Sequence, residues 1–287
     1  MKISIVMRSC NDAGVIGETL KMVYSQTIKD FELINIDNAS TDGTFEIIKK
    51  YNRSGKIITI GAGEYVPGKV LNDAVAIAKG EIIVFLNADA TPVDEKWLEF
   101  LIKGLDEKEV VAVYGRQIAR NDANLLVRLD YRRAYPSKGE KSKLSEQMFS
   151  FASAAFCKKI WKQYRIYEEG YSEDLEWCHR LMNNGHKCKY ITQSLVYHSH
   201  NFALRQLFKK RYRHGIALLC YHDDRLQKVI FFTLLKRCAV NIFRDIICGL
   251  QEFNSKMLFY SPVYRITIFL GYCCGLIKGM RLRRRAK

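Results

Sequence analysis

The chain has 287 residues, 48% hydrophobic and 26% charged, so it is long enough to bury a full core and has the composition of a globular protein. Its nine cysteines include no C-x-x-C pair, which argues against a disulfide scaffold or a cysteine zinc site and predicts a reduced, cytoplasmic protein. No run approaches 18 uncharged apolar residues and Met1-Lys2 leads directly into a strand-like run, so neither a spanning helix nor a secretory signal is expected.

Positive charge is concentrated in the last third of the chain, and the formal net charge is +16. Residues 202–287 carry 18 Lys or Arg against 4 Asp or Glu, whereas residues 1–201 carry 28 against 26. The contrast predicts a nearly neutral domain over residues 1–201 and a basic helical region over residues 202–287.

Strand-like and helix-like segments alternate over the first 115 residues. The strand-like runs are 3–7, 31–36, 56–60, 82–86 and 110–114. The helix-like stretches between them are 15–27, 43–51, 69–79 and 94–105. This order predicts an α/β fold, a mostly parallel Rossmann-like sheet with helices on both faces. Because no G-x-G-x-x-G or P-loop follows the first strand, a dinucleotide-binding domain is disfavoured.

The next segments are less regular. Residues 116–147 are rich in charge and are expected to form a long surface excursion, followed by strands at 149–157 and 195–198. A helix is predicted over 171–184, with Ser172 as its N-cap. Its predicted buried stripe consists of Leu175, Cys178, Leu181 and Met182. Both Trp161 and Trp177 are expected in the core.

Five polar segments carry the chemistry of the chain. They are residues 8–11, 37–44, 67–72, 87–89 and the acidic pair Glu173-Asp174. Because the first four follow strands or open helices, they are expected along one edge of a parallel sheet, where α/β proteins bind ligands.

Each segment also has a structural interpretation that the residues alone leave open. Asp89 would cap the next helix, and Asp37 with Asp42 would shape a turn. Lys69 would be a solvated lysine at a helix start. The acidic pair would complement a helix N-terminus, at about 0.3–1 kcal/mol for each carboxylate.

The order of these segments and their amino-acid sequences resemble those of the inverting nucleotide-sugar glycosyltransferases of family 2, which have the GT-A fold. Asp37-Asn-Ala-Ser-Thr-Asp-Gly-Thr44 is highly characteristic of that family, and Gly68-Lys69 with Asn72 and the Asn-Ala-Asp89 strand end recur there in this order. Residues 171–180 and 196–201 are similar to bacterial rhamnosyltransferase-like members. The resemblance covers about residues 1 to 215.

The resemblance implies roles for the polar residues. Asp37 would accept hydrogen bonds from the base or ribose of a nucleotide sugar. Asp174 would be the base that takes the proton of the acceptor hydroxyl, with Glu173 beside it. The other residues implied to bind the nucleotide sugar are Arg8, Asn11, Ser40, Lys69, Asn72, Asn87 and Ala88.

The resemblance also implies a metal, Mg²⁺ or Mn²⁺, on the diphosphate. Asp89 corresponds to the last acid of the family's D-x-D motif, and hard cations of this kind prefer oxygen ligands. Asn87 replaces the first acid, a departure that makes the dependence on metal less secure than membership of the family. His198 is assigned as a further ligand, and the role of His200 is left open.

The leading hypothesis is an inverting glycosyltransferase that moves a sugar, rhamnose as a first guess, to a cell-surface polysaccharide or lipid-linked glycan. The alternatives are a nucleotidyltransferase, or a non-catalytic protein that binds sugar nucleotides or membranes. The basic amphipathic helices predict peripheral attachment to the anionic inner face of the cell membrane. A homo-oligomer is a further alternative, and no nucleic-acid partner is expected.

Overall fold

The structure is a computed structural model that describes residues 2–52, 55–137, 148–168, 171–221, 227–252 and 254–286. It divides into two compact units. The sheet unit comprises residues 1–123, 130–169 and 173–199, and the helical unit comprises residues 124–129, 170–172 and 200–287. The domain boundary expected after residue 201 stays a prediction. Two short segments that precede it in the sequence, 124–129 and 170–172, belong to the helical unit.

The sheet unit is built on one eight-stranded sheet of order β3-β2-β1-β4-β7-β6-β8-β5. Strands β1 to β4 pair in parallel, as do β6 and β8, whereas β7 is antiparallel to both its neighbours and β5 to β8. The strands are β1 (Ile3–Ser9), β2 (Phe31–Asn38), β3 (Lys56–Ile60), β4 (Ile82–Asn87), β5 (Thr91–Pro92), β6 (Val110–Ile118), β7 (Ser153–Cys157) and β8 (Lys187–Tyr197). The expected α/β class, with a mostly parallel sheet, is confirmed.

Ten α-helices lie in the described residues, together with a 3₁₀ turn at Gly104–Asp106. The first seven are α1 (Ala13–Ser25), α2 (Thr44–Tyr51), α3 (Pro67–Ile77), α4 (Trp97–Lys103), α5 (Leu125–Ala134), α6 (Lys158–Gln163) and α7 (Glu173–Asn183). The last three are α8 (Leu204–Tyr221), α9 (Gln227–Gln251) and α10 (Lys256–Ala286). Apart from β6, which ends four residues later than predicted, the elements predicted within the first 115 residues begin and end within about three residues of the observed ones.

Three predicted segments differ from the structure. Strand β8 begins at Lys187 rather than at residue 195, and β7 begins only at Ser153. The expected surface excursion instead begins with the end of β6 and contains α5, while its residues 138–147 lie outside the described part of the chain.

The sheet buries both of its faces, as the apolar run of β4 predicts. Ile83 and Phe85 join one core cluster, whereas Val84 and Leu86 join the cluster on the opposite face. Successive side chains of a strand point to opposite faces, so only a strand covered on both sides reads as continuously apolar. Trp161 and Trp177 belong to the first cluster, which confirms that they are core residues.

The start of α7 differs from its prediction in two ways. The Ser172 hydroxyl lies 2.8 Å from His214 Nδ1, and Ser172 has a φ of 66° rather than the extended backbone typical of an N-cap. Met182 is 47% exposed, so its assignment to the buried stripe was wrong. The buried residues of α7 are instead Trp177, Cys178 and Leu181. The Trp177 ring packs against Phe149 and Phe156.

The helical unit is held together by close packing of α8 and α10 and by a buried ion pair. A side chain at Gly275 would lie 2.1 Å from the Tyr212 carbonyl, so only glycine permits this approach. Arg265 Nε lies 2.7 Å from Asp245 Oδ2, and both side chains are almost fully buried. Among the described residues, the segment Lys256–Leu282 of α10 is long and apolar enough to cross a membrane by length and composition alone.

Candidate active site

The carboxyl ends of β1, β2 and β4 form the rim on which the predicted residues lie. Because these strands pair in parallel, Ser9 lies beside Asp37, and Arg8 beside Asn87. Such a rim is where open α/β sheets bind ligands.

Asp37 is buried at the end of β2, and its carboxylate organises the loop that follows. Oδ2 accepts a hydrogen bond of 3.1 Å from the Ser40 amide, and Oδ1 lies 3.5 Å from the Ser9 hydroxyl. The predicted turn role of Asp37 is therefore observed, and its role toward a base or ribose stays a prediction.

The loops after β1 and β2 are tied to each other through Asn11 and Asp42. The Asn11 amide donates to the Ser40 hydroxyl at 3.0 Å, and Asn11 Oδ1 accepts from the Thr41 amide at 2.9 Å. Asp42 accepts from the backbone amides of Ala13 and Thr44. Asn11 has a φ of 56°, a conformation that asparagine tolerates better than most residues.

Arg8 connects this rim to the acidic pair. Its guanidinium donates to Glu173 Oε1 at 3.0 Å, to Asn87 Oδ1 at 3.1 Å and to the Tyr65 hydroxyl at 3.4 Å. Burial alone would lower the pKa of Arg8, but Tyr65 and Glu173 raise it overall, so the side chain stays charged. Arg8 therefore orients Glu173 and Asn87 at once.

Asp174 is the carboxyl group that has the most perturbed environment in the site. Burial raises its pKa to about 7, and the neighbouring carboxylate of Glu173 adds to the rise. Hydrogen bonds from the backbone amides of Leu175 and Phe151, and the charge of Arg8, oppose it. A carboxyl group with a pKa near neutrality accepts a proton far better than an ordinary one does.

Asp89 and His198 supply an oxygen and a nitrogen at the same rim. Asp89 Oδ1 lies 3.5 Å from His198 Nε2. His198 Nδ1 lies 2.7 Å from Gln117 Oε1, and Gln117 Nε2 donates to the Tyr135 hydroxyl at 2.9 Å. Because the Gln117 side-chain carbonyl oxygen accepts from a protonated Nδ1, Nε2 is the ring nitrogen directed toward Asp89 and is a metal ligand when it carries no proton. This pair fits a divalent cation.

Further carboxylates make the rim strongly negative. Burial raises the pKa of Asp12 to about 6; the Cys10 amide opposes this, while Asp89, Asp42 and Asp37 add to it. A bound cation would relieve this repulsion. Asp12 was not predicted as a site residue, because it reads as part of a turn.

The remaining predicted residues have mainly structural contacts. Asn72 donates to the Ile166 carbonyl and to Glu168, and accepts from Trp161 and the Ile166 amide. Its amide therefore fastens the segment before the acidic pair to α3. Lys69 is exposed and pairs with Asp73 at 2.6 Å.

Ala88 is fully buried, and its amide and carbonyl bond to Arg8 and Thr19. Contacts of Lys69, Asn72 and Ala88 with a nucleotide sugar stay predictions.

Four side chains of the site were missed by sequence reasoning: Asp12, Tyr65, Gln117 and Arg120. Arg120 donates to the Asp89 carbonyl at 2.9 Å and to the Thr91 hydroxyl at 2.7 Å, so it fixes the backbone of the strand end. Gln117 and Arg120 lie in the segment read as a surface excursion, and no sequence signal marks them.

The architecture is that of the GT-A glycosyltransferases. The mannosyltransferase PcManGT from Pyrobaculum calidifontis, solved in complex with GDP-Man and Mn²⁺, matches with a TM-score of 0.66 at 17% identity. The match covers 97% of this chain and 86% of that one. The GT-A fold expected from the sequence is therefore confirmed.

The family model of Glycosyl transferase family 2 matches residues 4–165, and the chain belongs to that family. The O-antigen chain rhamnosyltransferase WbaN of Salmonella anatum is 31% identical over 215 residues, which are 71% of this chain and 68% of that protein. RfbN of Salmonella typhimurium, also an O-antigen chain rhamnosyltransferase, is 26% identical over 231 residues, or 77% and 73% of the two chains. The enzyme class and the similarity to bacterial rhamnosyltransferases are confirmed.

Proposed function

We propose that the protein is an inverting glycosyltransferase that moves a sugar from a nucleotide-sugar donor to a cell-surface polysaccharide or lipid-linked glycan. The observation that carries the proposal is the environment of Asp174. A carboxyl group with its pKa raised to about 7 lies in a site whose rim also bears the carboxylates of Asp12, Asp37 and Asp89.

In this reaction Asp174 takes the proton of the acceptor hydroxyl while that oxygen attacks the anomeric carbon. The bond from the anomeric carbon to the nucleoside diphosphate breaks as the new bond forms on the opposite face, which inverts the configuration. Arg8 holds the Glu173 carboxylate at 3.0 Å, and Glu173 in turn helps to keep Asp174 basic. The base is therefore prepared before the acceptor arrives.

The donor pocket is formed by the loops after β1 and β2. Asp37 accepts hydrogen bonds from the base or ribose, and Asn11 and Ser40, already bonded to each other, line the same pocket. Lys69, exposed at the start of α3, reaches the phosphate or nucleoside. Asn87 is oriented by Arg8, and its amide oxygen accepts a hydrogen bond from the ribose.

Asp89 and His198 would hold a divalent cation, which when bound would supply positive charge to stabilise the departing diphosphate. An imidazole ligand suits a transition metal better than Mg²⁺, which prefers oxygen, so Mn²⁺ is the favoured ion of the two. PcManGT was solved with Mn²⁺, which agrees with this choice.

Gln117 is the residue that prepares His198 for this role. We expect Gln117→Leu to weaken Mn²⁺ binding by about 10- to 100-fold, the usual effect of removing the hydrogen-bond partner of a metal-ligating histidine. Titration calorimetry with Mn²⁺ and a nucleoside diphosphate measures it. Gln26→Leu is a matched control, because Gln26 is also buried and bonds to Leu98, Met22 and Asp94. Equal losses in the two variants would contradict the assignment.

Rhamnose is the proposed donor sugar, and an O-antigen-like glycan the proposed product, because the relatives WbaN and RfbN are named as O-antigen chain rhamnosyltransferases. The protein acts at the cytoplasmic face of the cell membrane, to which its basic residues 202–287 attach it peripherally. Their surplus of 14 positive charges supports attraction to anionic lipids.

The proposal is tested by incubating the purified protein with a panel of sugar nucleotides and measuring the release of nucleoside diphosphate. Thermal shifts with and without Mn²⁺ identify the donor, since a ligand at one hundred times its Kd adds about 2.7 kcal/mol of stability. Release of pyrophosphate would indicate a nucleotidyltransferase, and binding without release a non-catalytic protein. Either result would refute the proposal.

A further inference from the structure

Helix α9 leaves almost all of its apolar side chains uncovered. Among the residues of α9 whose burial the structure describes, only Asp245 and Gly249 are buried. The exposed apolar residues recur at helical spacing, and Phe232 and Phe243 are 66% and 67% exposed. The members of this α9 stripe are Val229, Phe232, Val240, Phe243, Ile247 and Leu250.

The α9 stripe lies on the side of the helix away from α10. At 100° per residue, Asp245 is roughly opposite the centre of the stripe, and Asp245 is the residue that pairs with Arg265 of α10. The side of α9 toward α10 thus carries Asp245 and Gly249, its two buried residues among those described, whereas the side away from α10 carries the six exposed apolar side chains of the stripe. A helix that packs its apolar side into a water-soluble core leaves no such stripe uncovered.

Helix α10 has a second stripe of the same kind. Its side chains recur at intervals of three, four and seven residues, and Phe259 is 80% exposed. The members of the α10 stripe are Phe259, Val263, Ile266, Leu270 and Ile277. Tyr272 and Gly275, which pack against α8, lie on another side of the helix.

We propose that the α9 and α10 stripes insert into the acyl region of an anionic lipid bilayer. The inference deepens the proposed function, on which it rests for the location of the enzyme at a membrane. Exposed cations accompany the stripes: Arg237 and Arg244 flank the α9 stripe, and Lys236 lies within it. A helix with an apolar stripe and long cationic side chains lies in the membrane interface, where those side chains reach the headgroups.

The charge of this region favours lipid over a second copy of the chain. Residues 202–287 carry 18 cationic and 4 anionic side chains. Two such surfaces repel each other when they meet, whereas anionic headgroups attract them. Exposed apolar stripes of this kind mark an interaction site, and the basic surroundings favour an anionic membrane as the partner.

This attachment has an apolar component that salt does not remove. In about 1 M salt the Debye length falls to about 3 Å, so the attraction between cations and headgroups is screened. Burial of the phenylalanine side chains in the acyl region is unaffected by screening. Part of the binding should therefore persist in high salt.

Flotation of the full-length protein with vesicles of phosphatidylglycerol and phosphatidylethanolamine, at low salt and at about 1 M salt, tests the proposal. The variant combines Phe232→Gln, Phe243→Gln and Phe259→Gln. We expect its partition coefficient in high salt to fall at least about tenfold, because each substitution removes a large apolar group from the acyl region. Binding at low salt should fall less, since all the cations remain.

The matched control combines Ile77→Gln and Met182→Gln, apolar residues of the sheet unit that are 44% and 47% exposed. It should bind like the wild type. The melting temperature and nucleoside diphosphate release of the triple variant should also be unchanged, which separates this inference from a failure to fold and from the proposed function. Absence of release by the wild type, with the vesicle result intact, would refute the proposed function alone.

Three outcomes would overturn the inference. The triple variant could bind vesicles in high salt as well as the wild type does. Salt could strip the wild type completely. Sedimentation could reveal a wild-type dimer that the triple variant abolishes without a change in vesicle binding, which would assign the stripes to a second copy.

Discussion

Asp174→Asn is expected to lower kcat by about 10²- to 10⁴-fold, the usual contribution of a positioned base. The amide keeps the size and hydrogen-bonding shape of the side chain but cannot take the acceptor proton. The Kd for the donor, measured by calorimetry, should barely change, because this group faces the acceptor. Steady-state kinetics with saturating donor gives the fall in kcat.

The pH dependence follows from the raised pKa of Asp174. Only the deprotonated carboxylate accepts a proton, so kcat of the wild type should rise with pH through about 7. The folded state also holds this proton more tightly than the unfolded state, so the stability that it contributes is lost as pH rises from the ordinary carboxyl pKa toward 7. The neutral Asp174→Asn variant should therefore melt at the same temperature or higher at neutral pH.

Glu176→Gln is the matched control for Asp174→Asn. It tests the alternative that Glu173 and Asp174 only complement the N-terminus of α7. Glu176 is also in the first turn of α7, but it pairs with Arg180 at 2.8 Å. Loss of its charge perturbs the helix in the same way and should leave kcat nearly unchanged. An equal fall in both variants would favour the capping interpretation, and a larger fall in Glu173→Gln would reassign the base to Glu173.

Asp89→Ala should abolish turnover that depends on a divalent cation. Charge stabilisation by a metal on the diphosphate contributes several kcal/mol, so we expect a loss of at least about a hundredfold in kcat/KM. Donor binding in Mn²⁺ should weaken as well, and in the absence of metal it should not. Asp94→Ala, which removes a nearby carboxylate that accepts a hydrogen bond from the Lys96 amide, is the control.

An Asp89→Ala enzyme with wild-type activity and an unchanged response to Mn²⁺ would refute the metal assignment. Asn87→Asp complements the test by restoring the acid that the family motif has. Its new carboxylate would lie beside Arg8, which now donates to Asn87 Oδ1. We expect this variant to preserve or strengthen Mn²⁺ binding.

The parallel part of the sheet could be predicted because each of its strands and helices is marked by the residues within that strand or helix. The run 82–86 is continuously apolar since β4 is covered on both faces, and the strand and helix order determines the crossovers. The length of β8 could not be predicted in this way. Only residues 191, 194 and 196 of this strand are buried, so most of it lacks a continuous apolar pattern.

The site could be predicted where a residue follows a strand, and not where distant side chains meet. Asp37 and Asp89 occupy strand ends that the sequence marks. The contact of Arg8 with Glu173 joins residues separated by 165 positions, and that of Gln117 with His198 joins residues 81 apart. Asn72 is the opposite case, since the sequence motif identified it as a residue that binds the nucleotide sugar. In the structure its side chain instead bonds to Trp161 and Ile166 and holds the segment before the acidic pair.

The shared guanidinium of Arg8 makes the energetics of this site collective. Removing the Glu173 carboxylate leaves a largely buried cation with less compensation, a change that can cost about 3–5 kcal/mol. The effect of changing Glu173 therefore includes the reorganisation of Asn87 and Tyr65, which bond to the same group. Single substitutions at these positions will not be additive, and only double-mutant cycles can divide the free energy among the three partners.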